Sequence, residues 1–433
     1  MKKIWWGISL LFLINCTSSS TRFNQEPEVR VRIIHTLDTL AINFDTEWQL
    51  SFNDQQKFFD ATDQTIKLFI KDGKIQLDQD SSTIDLAANR INLKSIPEKG
   101  TLNISDVPYG VGWWWEGRED RNYEGEIFIY INKNHQFDVI IKLMLEDYLK
   151  GVIPYEMGGN SPLEALKAQA VAARSEAIIA LISKMYSGPH YDLTSDVECQ
   201  VFSGNNKRTA TSDRAVAETQ ALILTEVGEP INAYYASNCG GHSELIQNVW
   251  PDRPRPLSYQ EAFKDNSSNK KLDLSNEDHL RKWIASSPDV YCNPNREVEL
   301  PPWSQKNFRW ERVYSVAELS RMLAGDKDLG KLIEINPIKR GQSGRIYKSG
   351  FIFEKGKFTK NTELSIRQLW SPSLRSSCFV VDQEKDKFII KGAGWGHGVG
   401  MCQSGAVAQA KLSRNFQKIL KHYYRKAKLT KLY

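Results

Sequence analysis

Past its first 14 positions, no stretch of this 433-residue chain approaches the roughly 20 apolar residues that a membrane-spanning helix needs. A transmembrane segment is therefore not expected. Charge of one sign is missing too: 57 Lys+Arg stand against 52 Asp+Glu, and a net charge of +5 is too weak to argue for a nucleic-acid partner. No internal repeat is apparent, and no GxGxxG spacing occurs, which removes a phosphate-cradling loop. Cysteine is scarce, with six in all. What is present is an ordinary globular composition, 41% hydrophobic, 25% charged and 11% aromatic, on a chain long enough for two or three domains.

Met1-Lys2-Lys3 carries two positive charges and the run from Ile4 to Ile14 is uncharged and largely apolar, the pattern of a signal-peptide core. Leu13-Ile14-Asn15-Cys16 resembles a bacterial lipobox, although Asn15 replaces the usual small residue. The expectation is a signal peptide over 1–15, a lipid on Cys16 and a Ser/Thr-rich tether over 16–28. The protein is then exported and lipid-anchored to a bacterial membrane, facing the periplasm or cell wall; an ordinary cleaved signal is the alternative. Five cysteines remain, Cys199, Cys239, Cys292, Cys378 and Cys402, an odd number whose pairing the sequence leaves open.

The fold expected is α+β. Residues 29–140 read as a β-rich region, from alternation at Val29 to Ile33 and the apolar runs Ile66 to Ile70, Glu126 to Ile131 and Phe137 to Leu143. Trp113, Trp114 and Trp115 read as core, with stacking on sugar rings as the alternative. Residues 141–433 read as a mixed α/β catalytic region with a substrate groove. Ser161-Pro162-Leu163-Glu164 predicts a capping box opening a long Ala-rich helix that runs to about Tyr186. Pro251 to Pro301 reads as a polar excursion with a short helix near Glu277 to Ala285. The last 23 residues carry eight Lys or Arg and no acid, a solvated basic face.

Two places suggest chemistry. Gly392, Gly394, Gly396, Gly398 and Gly400 alternate around Trp395 and His397; extended, they line one bare face for close approach of a packed element or ligand. Glu156, after Val152-Ile153-Pro154, is a carboxylate in poorly solvated surroundings, which raises a carboxyl pKa and suits a general acid; a surface Glu before a helix is the plainer reading.

Glu146 to Met157, continued by Glu164 to Arg174, resembles the signature of the SpoIID/LytB family of bacterial cell-wall proteins. Tyr235-Ala236-Ser237-Asn238-Cys239-Gly240-Gly241-His242, the run from Trp395 to Ala406 and Ile419 to Tyr424 fit it in order. The resemblance implies a lytic transglycosylase acting on peptidoglycan glycan strands, with Glu156 as acid and base and Lys167, Gln169, Arg174, His397 and Gln403 on the substrate. One carboxylate suffices because the C6 hydroxyl of N-acetylmuramic acid attacks its own anomeric carbon, leaving a 1,6-anhydro end. A non-catalytic wall-binding protein or amidase enhancer, with an amidase as partner, is the rival. A Cys/His hydrolase using Cys402 or Cys239 with His397 or His242 is a weaker third.

The resemblance also implies a zinc site in some members near 190–199. Here Thr194 replaces the earlier cysteine, and the histidine and Cys199 that remain are too few ligands by themselves, so no cofactor is expected. Related sequences further imply a Cys239–Cys292 disulfide, closing a loop of about 50 residues worth on the order of 4 kcal/mol. Pairing of Cys239 with Cys199, or metal binding by Cys239 and His242, stays open; Cys378 and Cys402 are expected free and buried.

Overall fold

The computed structural model describes residues 23–433 apart from 62–64, 80–81, 98, 114, 267–271 and 297. The signal peptide, the Cys16 anchor and Trp114 lie outside the described residues.

Period-two alternation organises the N-terminal part. In Glu28–Leu37 the side chains of Val29, Val31 and Ile33 are buried while Arg30 and Arg32 turn away. This strand sits in a seven-stranded sheet ordered Leu193–Thr194, Glu28–Leu37, Phe137–Met144, Glu126–Ile131, Arg90–Ser95, Trp48–Phe52, Gln55–Phe59. A six-stranded sheet runs Gly117–Glu124, Thr101–Tyr109, Thr39–Phe44, Ile66–Lys71, Lys74–Gln79, Ser82–Asp85. Both feed one core through residues such as Trp48, Leu68, Ile104 and Ile129.

The Phe137–Met144 strand passes directly into helix α1 (Leu145–Met157), and α2 (Leu163–Ser183) follows. Alanines at 165, 168, 170, 172, 173 and 177 are all buried in α2. Lacking bulk, they let α1, the helices Ala210–Ala217, Gln403–Lys411 and Phe416–Tyr423, and the strand Leu222–Glu226 close around it. The expected capping box does not form. Ser161 Oγ instead donates to the Met157 carbonyl at 2.6 Å, satisfying the end of α1. The Glu164 carboxylate accepts from the Phe416 N–H at 2.7 Å, a free donor of the helix that follows Asn415.

A second hydrophobic core, around Leu319, Phe351, Trp370 and Phe379, lies in the region 309–393. Two three-stranded sheets build it, Arg309–Ser315 with Lys387–Ala393 and Phe379–Glu384, and Leu332–Arg340 with Ile346–Phe353 and Gly356–Asn361. The polar segment before it is folded onto the molecule. Its helix Glu277–Ala285 is capped by Asn276 Oδ1, which accepts from the N–H groups of Asp278 and His279. Leu274, Leu280, Val290, Tyr291, Cys292 and Leu300 are buried. The fold as a whole is α+β, with its β-rich part first. Among the described residues, no helix is long and apolar enough to cross a membrane.

Candidate active site

Glu156 stands in the last turn of α1, half-buried, just before Gly158 at φ +77° turns the chain toward α2. Two donors hold its carboxylate. The Val201 N–H reaches Oε1 at 3.3 Å and Gln403 Nε2 reaches Oε2 at 3.1 Å. Gln403 opens the helix Gln403–Lys411, and parallel pairing of Met401–Cys402 with Tyr235–Ala236 fixes that helix start. The same Gln403 amide lies 3.4 Å from Gln169 Oε1 on α2, so three segments far apart in sequence meet at one carboxyl group. Desolvation raises the Glu156 carboxyl above its ordinary value, and the bonds from Gln403 and Val201 pull it back only in part.

A second carboxyl belongs to this site and was missed in the sequence. Glu176 stands on α2 two helical turns after Gln169, so it shares the face turned toward Glu156. It is buried, and burial together with the charge of Glu156 pushes it up to about 8. The available signal was its spacing, seven positions from Gln169 on the same helix.

Val201 also lines a cavity of about 350 Å³ whose wall includes Tyr109, Trp113, Trp115 and Arg121. Trp113 and Trp115 are half-buried wall residues rather than core. The buried Arg121 guanidinium lies over the rings of Tyr109 and Tyr155, and its Nη2 has no hydrogen-bond partner among the described residues. Aromatic faces and a free donor beside a raised carboxyl suit a polyhydroxylated ligand whose leaving oxygen takes a proton.

Gln169 and Gln403 therefore join Glu156, while the other expected substrate residues do not. Arg174 is fully buried and clamps Glu146 with two bonds of 2.8 and 2.6 Å, besides donating to the Leu222 carbonyl. Lys167 bridges Glu164 at 2.8 Å and Glu218 at 2.5 Å. Their seven-residue spacing serves internal ion pairs instead of one open groove. His397 accepts the Val399 N–H on Nδ1 at 3.0 Å and packs 4.7 Å from the Trp250 ring. Burial, then the charges of Arg345 and Arg367, holds it down at about 3, hence neutral.

The glycine run is not an extended bare face. Gly394, Gly396, Gly398 and Gly400 all have positive φ, between +74° and +97°, so the chain winds rather than extends. A Cβ at Gly398 would collide with Arg345, and one at Gly400 with the Tyr234 carbonyl, so protein atoms fill the space a ligand would need.

The Cys/His reading fails on orientation. His242 directs its ring nitrogens at the Ser243 and Leu272 carbonyls, and neither it nor His397 faces a thiol. The Cys239 and Cys292 sulfurs lie 3.6 Å apart and unbonded, so the expected bridge is not formed here. Cys378 and Cys402 are free and buried. In the segment 190–199, the His190 ring stacks on Tyr130 and Thr194 bonds to Glu198.

A carboxyl held above its ordinary value at the edge of an aromatic-lined cavity has the features of an acid–base site. A family model described as Stage II sporulation protein matches residues 133–225, the stretch carrying α1, Glu156 and α2, and a domain of unknown function matches 244–400. An uncharacterized protein of Brachyspira hyodysenteriae is 30% identical, covering 79% of this chain and 81% of its own. Stage II sporulation protein D of Bacillus amyloliquefaciens is 28% identical over 68% of this chain and 76% of its own. The amidase enhancer of Bacillus subtilis is 27% identical over 65% of this chain, which spans only 40% of that protein. The chain belongs to the SpoIID/LytB family.

Proposed function

We propose that this protein acts on peptidoglycan as a lytic transglycosylase, cutting glycan strands between N-acetylmuramic acid and N-acetylglucosamine. The observation that carries the reading is the Glu156 carboxyl, desolvated, held by Gln403 and Val201, and next to a cavity walled by Tyr109, Trp113 and Trp115. Protonated Glu156 gives its proton to the glycosidic oxygen as the C1–O bond breaks. The C6 hydroxyl of the muramic residue then attacks C1, and the Glu156 carboxylate takes the hydroxyl proton. No water is consumed, and the carboxyl returns to its starting form. The names of the relatives, a sporulation protein and an amidase enhancer, support a role at the cell wall, and the second name favours amidase stimulation as the rival. Export and lipid anchoring through Cys16 complete the proposal, since they bring the site to its polymer.

The pH profile tests this assignment. Desolvation raises the Glu156 carboxyl above its ordinary value, and only its protonated form can give a proton to the glycosidic oxygen. Fragment release from purified glycan strands should fall as pH rises through the raised range in which Glu156 loses its proton. A rate that does not fall with rising pH would remove Glu156 as the acid; retention of glycan without release of any fragment favours the binding rival.

A further inference from the structure

Immediately before Gln403, a group that none of the chemistry above uses comes together. Cys239 follows the strand Tyr235–Ala236, Asp265 and Cys292 lie in the polar segment, and Cys402 precedes the helix Gln403–Lys411. One ligand atom from each lies within 4.8 Å of all the others, and all four residues are buried. Cys239 Sγ is 3.6 Å from Cys292 Sγ and 3.5 Å from Asp265 Oδ2. The Cys239 N–H points at Cys402 Sγ at 3.2 Å.

Those spacings have a simple meaning. With metal–sulfur bonds of about 2.3 Å and metal–oxygen bonds of about 2.0 Å, tetrahedral corners lie about 3.8 Å apart for two sulfurs and about 3.5 Å for sulfur and oxygen. A disulfide accounts for two of the thiols at most. It leaves Cys402 and the buried Asp265 carboxylate gathered on it without purpose. The carboxylate has an outer partner as well, since its Oδ1 lies 3.1 Å from His422 Nε2, as metal-bound carboxylates are oriented by groups behind them.

We infer that Cys239, Cys292, Cys402 and Asp265 form a closed, tetrahedral structural site for a divalent cation of the zinc class. Four protein ligands leave no open position, so the metal fastens chain rather than performing chemistry. It joins the Cys239 loop, the polar segment and the start of the helix whose first residue holds Glu156, and thereby fixes Gln403. Its location is separate from the segment 190–199, where the family resemblance implies zinc in some members.

The full chain, purified without added reductant or chelator, should contain one zinc ion by elemental analysis. After metal removal under reducing conditions, cobalt(II) should restore the visible bands of tetrahedral thiolate coordination. Cys402→Ser and Asp265→Asn should abolish or shift those bands, whereas Cys378→Ser, buried outside the cluster, should leave them intact. His422→Ala should weaken metal affinity about 10- to 100-fold. Should the ligand variants misfold, the wild-type cobalt spectrum and its loss on thiol alkylation still decide. Absence of zinc with no cobalt–thiolate bands, or a Cys239–Cys292 disulfide found by non-reducing peptide mapping of the isolated protein, overturns the inference.

Discussion

Glu156→Gln should reduce cleavage of glycan strands by about 10² to 10⁴-fold, the range that a positioned general acid and base contributes. The substitution keeps the shape of the side chain, and its carbonyl oxygen can still accept the Val201 N–H that meets Oε1 at 3.3 Å. What disappears is the proton for the leaving oxygen and the base for the C6 hydroxyl. Desolvation already works against the charged carboxylate, so a neutral amide should fold at least as stably. Unchanged thermal unfolding beside a collapsed rate is the expected pair of results. Full activity in the variant would remove Glu156 from the mechanism.

Arg174 gives the other large effect, this time on stability. Its guanidinium is fully buried against Glu146, which also accepts from the Ala221 N–H and the Tyr433 hydroxyl. Removing one member of such a buried pair strands the other, at about 3–5 kcal/mol. Arg174→Ala should therefore lower unfolding stability by about that much, while the fraction that remains folded binds glycan with an unchanged KM. Denaturant unfolding and steady-state kinetics on the same preparation separate the two roles; a raised KM with native stability would return Arg174 to the substrate.

These two residues show what a sequence can disclose. Glu156 was singled out by the family motif around it, since an apolar run before a lone acid reads more plainly as a surface Glu. The strands near Val29, Ile66, Glu126 and Phe137 were readable for a local reason, since period-two burial is written into adjacent residues. The helix Glu277–Ala285 forms where the sequence placed it. Arg174 was misread because its partner, Glu146, lies on another helix, and spacing along one helix says nothing about what packs against it. The glycine run was misread because alternation fits an extended strand as well as a winding chain, and only the Tyr234 carbonyl and Arg345 decide between them. The second core around Phe351 and Trp370 escaped notice although most of its strands pair as short hairpins; only the pairing of Arg309–Ser315 with Lys387–Ala393 is long-range. Glu176 and the cluster at Cys402 are likewise products of tertiary folding.

The most direct test of the central claim is the mass of the products when purified glycan strands are digested in water enriched with oxygen-18. Intramolecular attack predicts muramyl ends one water lighter than a hydrolysed sugar and free of the label, absent when Glu156→Gln replaces the wild type. Reducing ends that carry oxygen-18 would contradict the account, because they mean that water, not the C6 hydroxyl, closed the reaction.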